Sequence, residues 1–242
     1  MSRFSRDAMV WVDLDDTVWD MRGNSELCLG ELYAEEGIDR YFADKETWSR
    51  IYHEINLGLW QRYSRGEISR DYLRRERFAS PLRLAGVGDD EAMRLSDYYD
   101  RVYLSRLGCK TGLVDGAREF LGYLKDRGYR LGVLSNGFRE VQYDKMRSGG
   151  IDGYFDIVVL SDEIEVNKPD RRLFDYALSK AASGGRVNVM IGDNIETDIA
   201  GAVNAGWPAI WYNPGGAVMP DGLSGAGVSD VASLADICGP LL

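Results

Sequence analysis

The chain has 242 residues, 45% hydrophobic and 28% charged, with 28 glycines. This is the make-up of a globular protein large enough for one core, or for a core plus an inserted module, and it excludes a disordered chain. A formal charge of -10 opposes long-range attraction of nucleic acid, and no apolar run approaches the ~20 residues that span a bilayer.

At the N-terminus, residues 1–7 lead into a strand without the apolar stretch of a signal peptide. A cytoplasmic protein is therefore expected, with no nucleic-acid or membrane partner. Cys28, Cys109 and Cys238 lie far apart with no CxxC pair, which fits neither a disulfide framework nor a zinc site.

The first element is the apolar run Met9-Val10-Trp11-Val12, which reads as a buried strand. Asp13-Leu14-Asp15-Asp16-Thr17 follows it, at the carboxyl end where open parallel sheets hold their ligands. Alternating residues of a strand point to opposite sides, so bringing Asp13 and Asp15 to one site requires the backbone to leave the sheet between them. Carboxylates crowded there suggest a divalent cation. The plain alternative is an acidic turn in which Asp16 and Thr17 cap a helix.

Residues 20–110 hold no convincing strand and read as an inserted module of four amphipathic helices. Helix signals run from Ser25 to Glu36 before Gly37, and from an Asp44 cap with Trp48, Ile51, Tyr52, Ile55 and Leu59 on one stripe. A Ser69 cap starts Arg70 to Ala79, which should stop before Pro81, and an Asp89 cap starts Asp90 to Leu107. His53 falls on the polar side of its helix. Arg62, Arg65, Arg70, Arg74, Arg75 and Arg77 read as a solvated face, and Trp48, Trp60, Tyr52 and Tyr63 as core, with base stacking the rival role for one of them.

From residue 117 helix and strand alternate. Ala117–Arg127 reads as a helix and Tyr129–Leu134 as a strand ending at Ser135-Asn136-Gly137. The following units are Phe138–Ser148 (helix), Phe155–Leu160 (strand), Arg171–Ala182 (helix) and Val187–Ile191, a strand ending at Gly192-Asp193-Asn194. Ile195–Ala205 (helix), Ala209–Tyr212 (strand) and a closing helix over Asp230–Ile237 complete the chain, with a mobile loop expected around Pro214-Gly215-Gly216 and Pro220-Asp221-Gly222. The pattern predicts an α/β fold, a doubly wound parallel sheet formed by residues 1–19 and 111–242 and interrupted by the helical module at 20–110.

Four motifs then fall at or just after strand ends: Asp13-Leu14-Asp15-Asp16-Thr17, Ser135-Asn136-Gly137, Lys168-Pro169, and Gly192-Asp193-Asn194 followed by Asp198. In type, order and spacing they resemble the haloacid dehalogenase superfamily of aspartate-nucleophile phosphohydrolases, and the resemblance spans the whole chain. It implies a Rossmann-like core with a helical cap between the first and second motifs, and it implies Mg2+ as cofactor. Asp13 would be the nucleophile that forms an aspartyl-phosphate. Mg2+ would be held by Asp13, the backbone carbonyl of Asp15, and Asp193.

By the same resemblance Asp15 is general acid and then general base, so it must carry a proton at substrate binding although free aspartate titrates near ~3.9. The anionic nucleophile and phosphate would raise it. Ser135 and the backbone amides of Asn136 and Gly137 would bind the phosphoryl group, with a helix cap as the plain alternative. Lys168 would neutralise Asp13 and the phosphoryl oxygens, with Pro169 setting the helix start. Asp198, Asn194 and Thr17 would support these ligands, although Asp198 could also be an ordinary first-turn aspartate.

Trp19-Asp20, Tyr41-Phe42, Leu59-Trp60, Gly66-Glu67-Ile68-Ser69 and Thr197-Asp198-Ile199-Ala200-Gly201-Ala202 resemble the house-cleaning pyrimidine 5′-nucleotidase subgroup. The substrate this implies is a small phosphorylated metabolite, a nucleoside monophosphate, with a sugar phosphate or phosphoglycolate as the alternative. Carbon–halogen cleavage is disfavoured because the dehalogenases of the superfamily lack an acid at the position of Asp15. A non-catalytic binding module is disfavoured by the intact Asp13, Asp15, Lys168 and Asp193. Monomer and homodimer both stay open.

Overall fold

The structure is a computed structural model that describes residues 7–224 and 227–238; residues 1–6, on which the expectation of a leaderless N-terminus rests, lie outside the described residues. The chain divides into two compact units, one formed from residues 1–21 and 111–242 and the other from Arg22–Lys110.

The first unit is a six-stranded parallel sheet. Its strands are β1 (Met9–Val12), β2 (Arg130–Ser135), β3 (Ile157–Leu160), β4 (Asn188–Gly192), β5 (Ala209–Tyr212) and β6 (Val228–Val231), in the order β3-β2-β1-β4-β5-β6. β1 sits between β2 and β4, pairing Met9 to Arg130 and to Asn188, and Val12 to Val133 and to Ile191. Strand order reverses at β1, and the crevice beyond the carboxyl ends of such neighbouring strands is where open sheets bind ligands. Because both its edges are paired, β1 can be apolar throughout, and Met9 to Val12 are fully buried.

Helices α5 (Ala117–Asp126), α6 (Arg139–Ser148), α7 (Arg171–Lys180) and α8 (Ala200–Ala205) connect the strands. On one side of the sheet Trp11 stacks on Trp207 with centroids 5.9 Å apart, and Phe174 of α7 meets Trp207 edge-on at 5.2 Å. The Trp11 indole donates to Asn188 Oδ1 at 2.9 Å, so its buried N–H is satisfied.

Three segments of this unit differ from the sequence expectation. The closing helix over Asp230–Ile237 is instead β6, parallel to β5, followed by a 3-10 turn over Leu234–Ile237 capped by Ser233 and Asp236. The unpaired backbone edge of β5 outweighs a short helical pattern here, and the Asn213 N–H donates to Val231 O at 2.7 Å. Ile195–Ala205 is not one α-helix: Ile195–Ile199 is a π turn preceding α8. Pro169 does not open α7. The cap is Asp170, which accepts from Arg172 N, and the Lys168–Pro169 peptide is cis. The loop after β5 turns on Asn213, whose side chain both donates to Ala217 O and accepts from Ala217 N.

The second unit is helical. α2 (Lys45–Ser64) and α3 (Arg70–Leu84) begin at Asp44 and Ser69, whose side chains accept from Thr47 N and Tyr72 N. α1 spans Met21–Glu35 and α4 Asp89–Leu107, with Gly88, not Asp89, in the cap position. The core is a ring cluster in which Phe78 lies 5.1 Å from Tyr52 and 5.7 Å from Tyr103, and Trp48 lies 5.7 Å from Tyr52.

α3 runs through Pro81 to Leu84, because packing of Phe78, Ala79 and Leu82 outweighs the one N–H that proline lacks. Arg77 departs from the expected solvated face. It is buried, its Nε 2.8 Å from Asp100 Oδ1, while Arg74 Nε meets Asp100 Oδ2 at 2.8 Å. His53 is partly exposed, 3.3 Å from Glu26.

Phe174→Ala should remove about 3–5 kcal/mol of stability, since a fully buried ring leaves a cavity against Trp207. Urea unfolding followed by the tryptophan signal measures it, and a loss below about 1 kcal/mol would contradict the packing described.

Candidate active site

β1 delivers Asp13, whose N–H donates to Ile191 O at 2.8 Å and so continues the strand pairing by one residue. The chain then turns sharply. Asp16 has φ 58, in the left-handed region that aspartate tolerates better than most residues, and its N–H donates to Trp19 O at 2.8 Å. This is the departure from the sheet that a shared site for Asp13 and Asp15 required.

Lys168 is the centre of the site. Its Nζ donates to Asp13 Oδ1 at 2.6 Å, Asp198 Oδ1 at 2.6 Å and Leu134 O at 2.7 Å, which uses all three ammonium protons at a position only 2% exposed. Its backbone is fixed as well: Lys168 N donates to Asn136 Oδ1 at 2.7 Å, and Asn136 Nδ2 donates to Lys168 O at 3.0 Å. The Asn136 side chain thus ties the end of β2 to the lysine loop. Burial alone would lower the Lys168 pKa, but the charges of Asp13 and Asp198 and their hydrogen bonds outweigh it and hold the ammonium charged.

Asp193, just after β4, donates its N–H to Thr17 Oγ1 at 3.0 Å, and Thr17 Oγ1 donates to Asp193 Oδ1 at 3.1 Å. The Trp211 indole donates to Asp193 O at 2.8 Å. Asp198 turns inward from the π turn, its Oδ2 accepting from Asn194 N at 3.1 Å while its Oδ1 takes Lys168. Asn194 Oδ1 caps that turn, accepting from Glu196 N and Thr197 N at 3.0 Å each. Gly192 is required beneath it, because a Cβ there would overlap the Asp198 carboxylate.

Asp13, Asp193 and Asp198 bring carboxylate oxygens within 4.8 Å of one another. Burial, opposed by Lys168 and reinforced by Asp198 and Asp15, pushes Asp13 up to about 7. Burial together with the charges of Asp198, Asp13 and Asp16 pushes Asp193 up to about 8. Asp198 gives both oxygens to protein donors, whereas Asp193 faces its neighbours with one hydroxyl as partner. A divalent cation is the group that such a donor set fits.

Two residues absent from the sequence reading complete the site. Lys145 Nζ donates to Asp15 Oδ1 at 2.7 Å, and Gln142 Nε2 donates to Asp15 Oδ2 at 3.0 Å and to Ser135 Oγ at 2.7 Å. Gly137 N also donates to Ser135 Oγ, at 3.1 Å. The signal for both was a polar pair at i and i+3 on the buried face of α6, whose cap position is Phe138 and not Ser135 or Asn136.

The chain matches the haloacid dehalogenase-like hydrolase family over residues 9–206. It belongs to that family. Two pyrimidine 5′-nucleotidases are similar across most of their length. PynA of Streptococcus pneumoniae is 30% identical over 84% of this chain and 82% of its own, and YjjG of Escherichia coli is 31% identical over 78% and 83%. A glyceraldehyde 3-phosphate phosphatase of Methanothermobacter thermautotrophicus is 46% identical over 37% of this chain and 40% of its own. The HAD-hydrolase YfnB of Bacillus subtilis, solved bound to magnesium, shares the fold with a TM-score of 0.83 at 24% identity, covering 98% of this chain and 97% of that one. This chain is thus a hydrolase of the haloacid dehalogenase-like family, and its described residues include no helix long and apolar enough to cross a membrane.

The raised Asp193 fixes the sign of a stability effect. Its folded pKa lies above the unfolded value of about 3.9, so without metal its ionisation costs stability as pH rises from about 4 through about 8. Asp193→Asn should therefore raise the thermal midpoint of the metal-free protein near pH 8 and raise it much less near pH 5. Equal shifts at both pH values in thermal scans with chelator would count against the crowded-carboxylate account.

Proposed function

We propose that this phosphoric monoester hydrolase releases phosphate from nucleoside monophosphates, pyrimidine nucleotides in preference, with Mg2+ as its cofactor. The observation that carries the reaction is Lys168, whose ammonium holds one oxygen of Asp13 against Asp198 and leaves the other to act as nucleophile. Asp13 and Asp193, with the backbone carbonyl of Asp15, would hold the cation. When bound it supplies positive charge against the carboxylates and the phosphoryl dianion.

In the first step an Asp13 carboxylate oxygen attacks phosphorus in line, the ester P–O bond breaks, and Asp15 gives its proton to the departing alkoxide. In the second step Asp15 takes a proton from water as the water oxygen attacks the aspartyl-phosphate, freeing phosphate and restoring Asp13. Lys168 faces the negative charge that gathers in both steps. Ser135, at the start of the turn into α6, offers its hydroxyl to a phosphoryl oxygen.

The nucleotide reading rests on the two nucleotidases that match over most of their length. A sugar phosphate is the second reading, supported by the shorter but closer match to the glyceraldehyde 3-phosphate phosphatase.

Phosphate release should be measured with Mg2+ on UMP, dTMP, AMP, glyceraldehyde 3-phosphate and phosphoglycolate. The expected result is a kcat/KM for UMP or dTMP at least about tenfold above the sugar phosphates, with Asp13→Asn slower by at least about 10³-fold. Chelation should abolish release and Mg2+ restore it. Preference for a sugar phosphate would replace the nucleotide reading, whereas release independent of Asp13, or metal-free liberation of halide from 2-haloacids, would overturn the phosphatase mechanism.

A further inference from the structure

Asp15 is the site carboxylate whose partners come from α6. Lys145 is buried, its Nζ 2.7 Å from Asp15 Oδ1, 3.6 Å from Met21 Sδ and 4.8 Å from the centroid of the Trp19 ring. Among the described residues Asp15 is the one carboxylate that Lys145 pairs with, and a thioether and an indole face also lie against the ammonium. A buried ammonium so placed is held by Asp15, since without that carboxylate its charge would face a thioether and an indole.

Gln142 lies one turn earlier on the same face and is fully buried. Its two Nε2 protons go to Asp15 Oδ2 and Ser135 Oγ, while its Oε1 has no partner. The fold tolerates that orphaned oxygen, which is the kind of local cost found where function sets the geometry. Gly137 permits the approach, because a Cβ there would overlap the Gln142 amide. Ser135 Oγ accepts from both Gln142 and Gly137 N, so both lone pairs are occupied and its hydroxyl proton is the contact left to offer.

We propose that Lys145 and Gln142 are positioning residues: together they fix the Asp15 carboxyl for proton transfer to the leaving oxygen, and Gln142 also presets Ser135 as a hydrogen-bond donor. This rests on the reading of Asp15 as general acid given above. Neither side chain touches the reacting atoms in this account; each acts through Asp15 or Ser135.

The test is leaving-group selectivity, which a loss of packing would not alter. A p-nitrophenolate leaves without a proton, whereas the nucleoside alkoxide of UMP needs one. Steady-state kcat/KM, which reports the step in which the leaving group departs, is measured with Mg2+ on p-nitrophenyl phosphate and UMP for the intact chain, Lys145→Met, Lys145→Arg, Gln142→Met and Asp15→Asn, with circular dichroism to verify folding. Asp15→Asn should raise the ratio of kcat/KM on p-nitrophenyl phosphate to kcat/KM on UMP by at least about 10²-fold, and Lys145→Met by at least about tenfold.

Lys145→Arg should recover most of the normal ratio, and Gln142→Met should raise both the ratio and the KM for UMP. Should Lys145→Met not fold, Lys145→Gln provides the same reading. A raised ratio in Asp15→Asn with an unchanged ratio in the Lys145 variants overturns this inference and leaves the general acid in place. An unchanged ratio in Asp15→Asn overturns the assignment of Asp15 and the inference with it.

Discussion

The site is organised around an electrostatic conflict. Asp13, Asp193 and Asp198 converge at the end of the sheet, and the one ammonium among them, Lys168, is fully used on two carboxylates and a carbonyl. Two carboxylates pushed far above their ordinary range are the consequence. Such a cluster is costly in the isolated protein, and positive charge brought among the carboxylates would relieve it. The parallel sheet makes the crowding possible, since the adjacent strands β1 and β4 end side by side and β2 next to them carries Ser135 and the Leu134 carbonyl.

Rigidity of the neighbouring backbone keeps the conflict from relaxing. Asn136 clamps the Lys168 peptide from both sides, Thr17 exchanges two hydrogen bonds with Asp193, and Trp211 holds the Asp193 carbonyl. None of these groups carries charge. Their effect is to deny the carboxylates the rotations by which they would separate, so that the crowding is held in place. The bare Cα atoms of Gly137 and Gly192 belong to the same design, since each lets a polar side chain reach under a strand end.

Much of this was legible in sequence because strand ends announce themselves. The apolar runs at Met9–Val12, Arg130–Ser135 and Asn188–Gly192 stop at polar tripeptides, and the residues that stop them are the ones that converge. Elements defined by tertiary pairing were not legible. Val228–Val231 becomes a strand because β5 offers an open edge, and α3 passes Pro81 because its apolar face is packed on both sides of the proline. Arg77 looked like surface from its arginine-rich neighbourhood, but its partner Asp100 lies on another helix, and no local pattern marks such a pair. Lys145 and Gln142 escaped for the same reason, since periodicity ranks a polar residue on a buried face as an exception without saying what it meets.

The substrate is where sequence pattern and site chemistry carry least, and the helical unit shows why. Four aromatic residues there were candidates for stacking on a base, but Trp48 and Tyr52 are fully buried in a ring cluster with Phe78 and Tyr103. Their rings are the core that allows four helices to stand as a compact unit. Trp60 and Tyr63, packed edge-on at 5.7 Å near the end of α2, remain partly exposed. A base-recognising ring must present a face to solvent before the ligand arrives, so the choice among the four narrows to this pair.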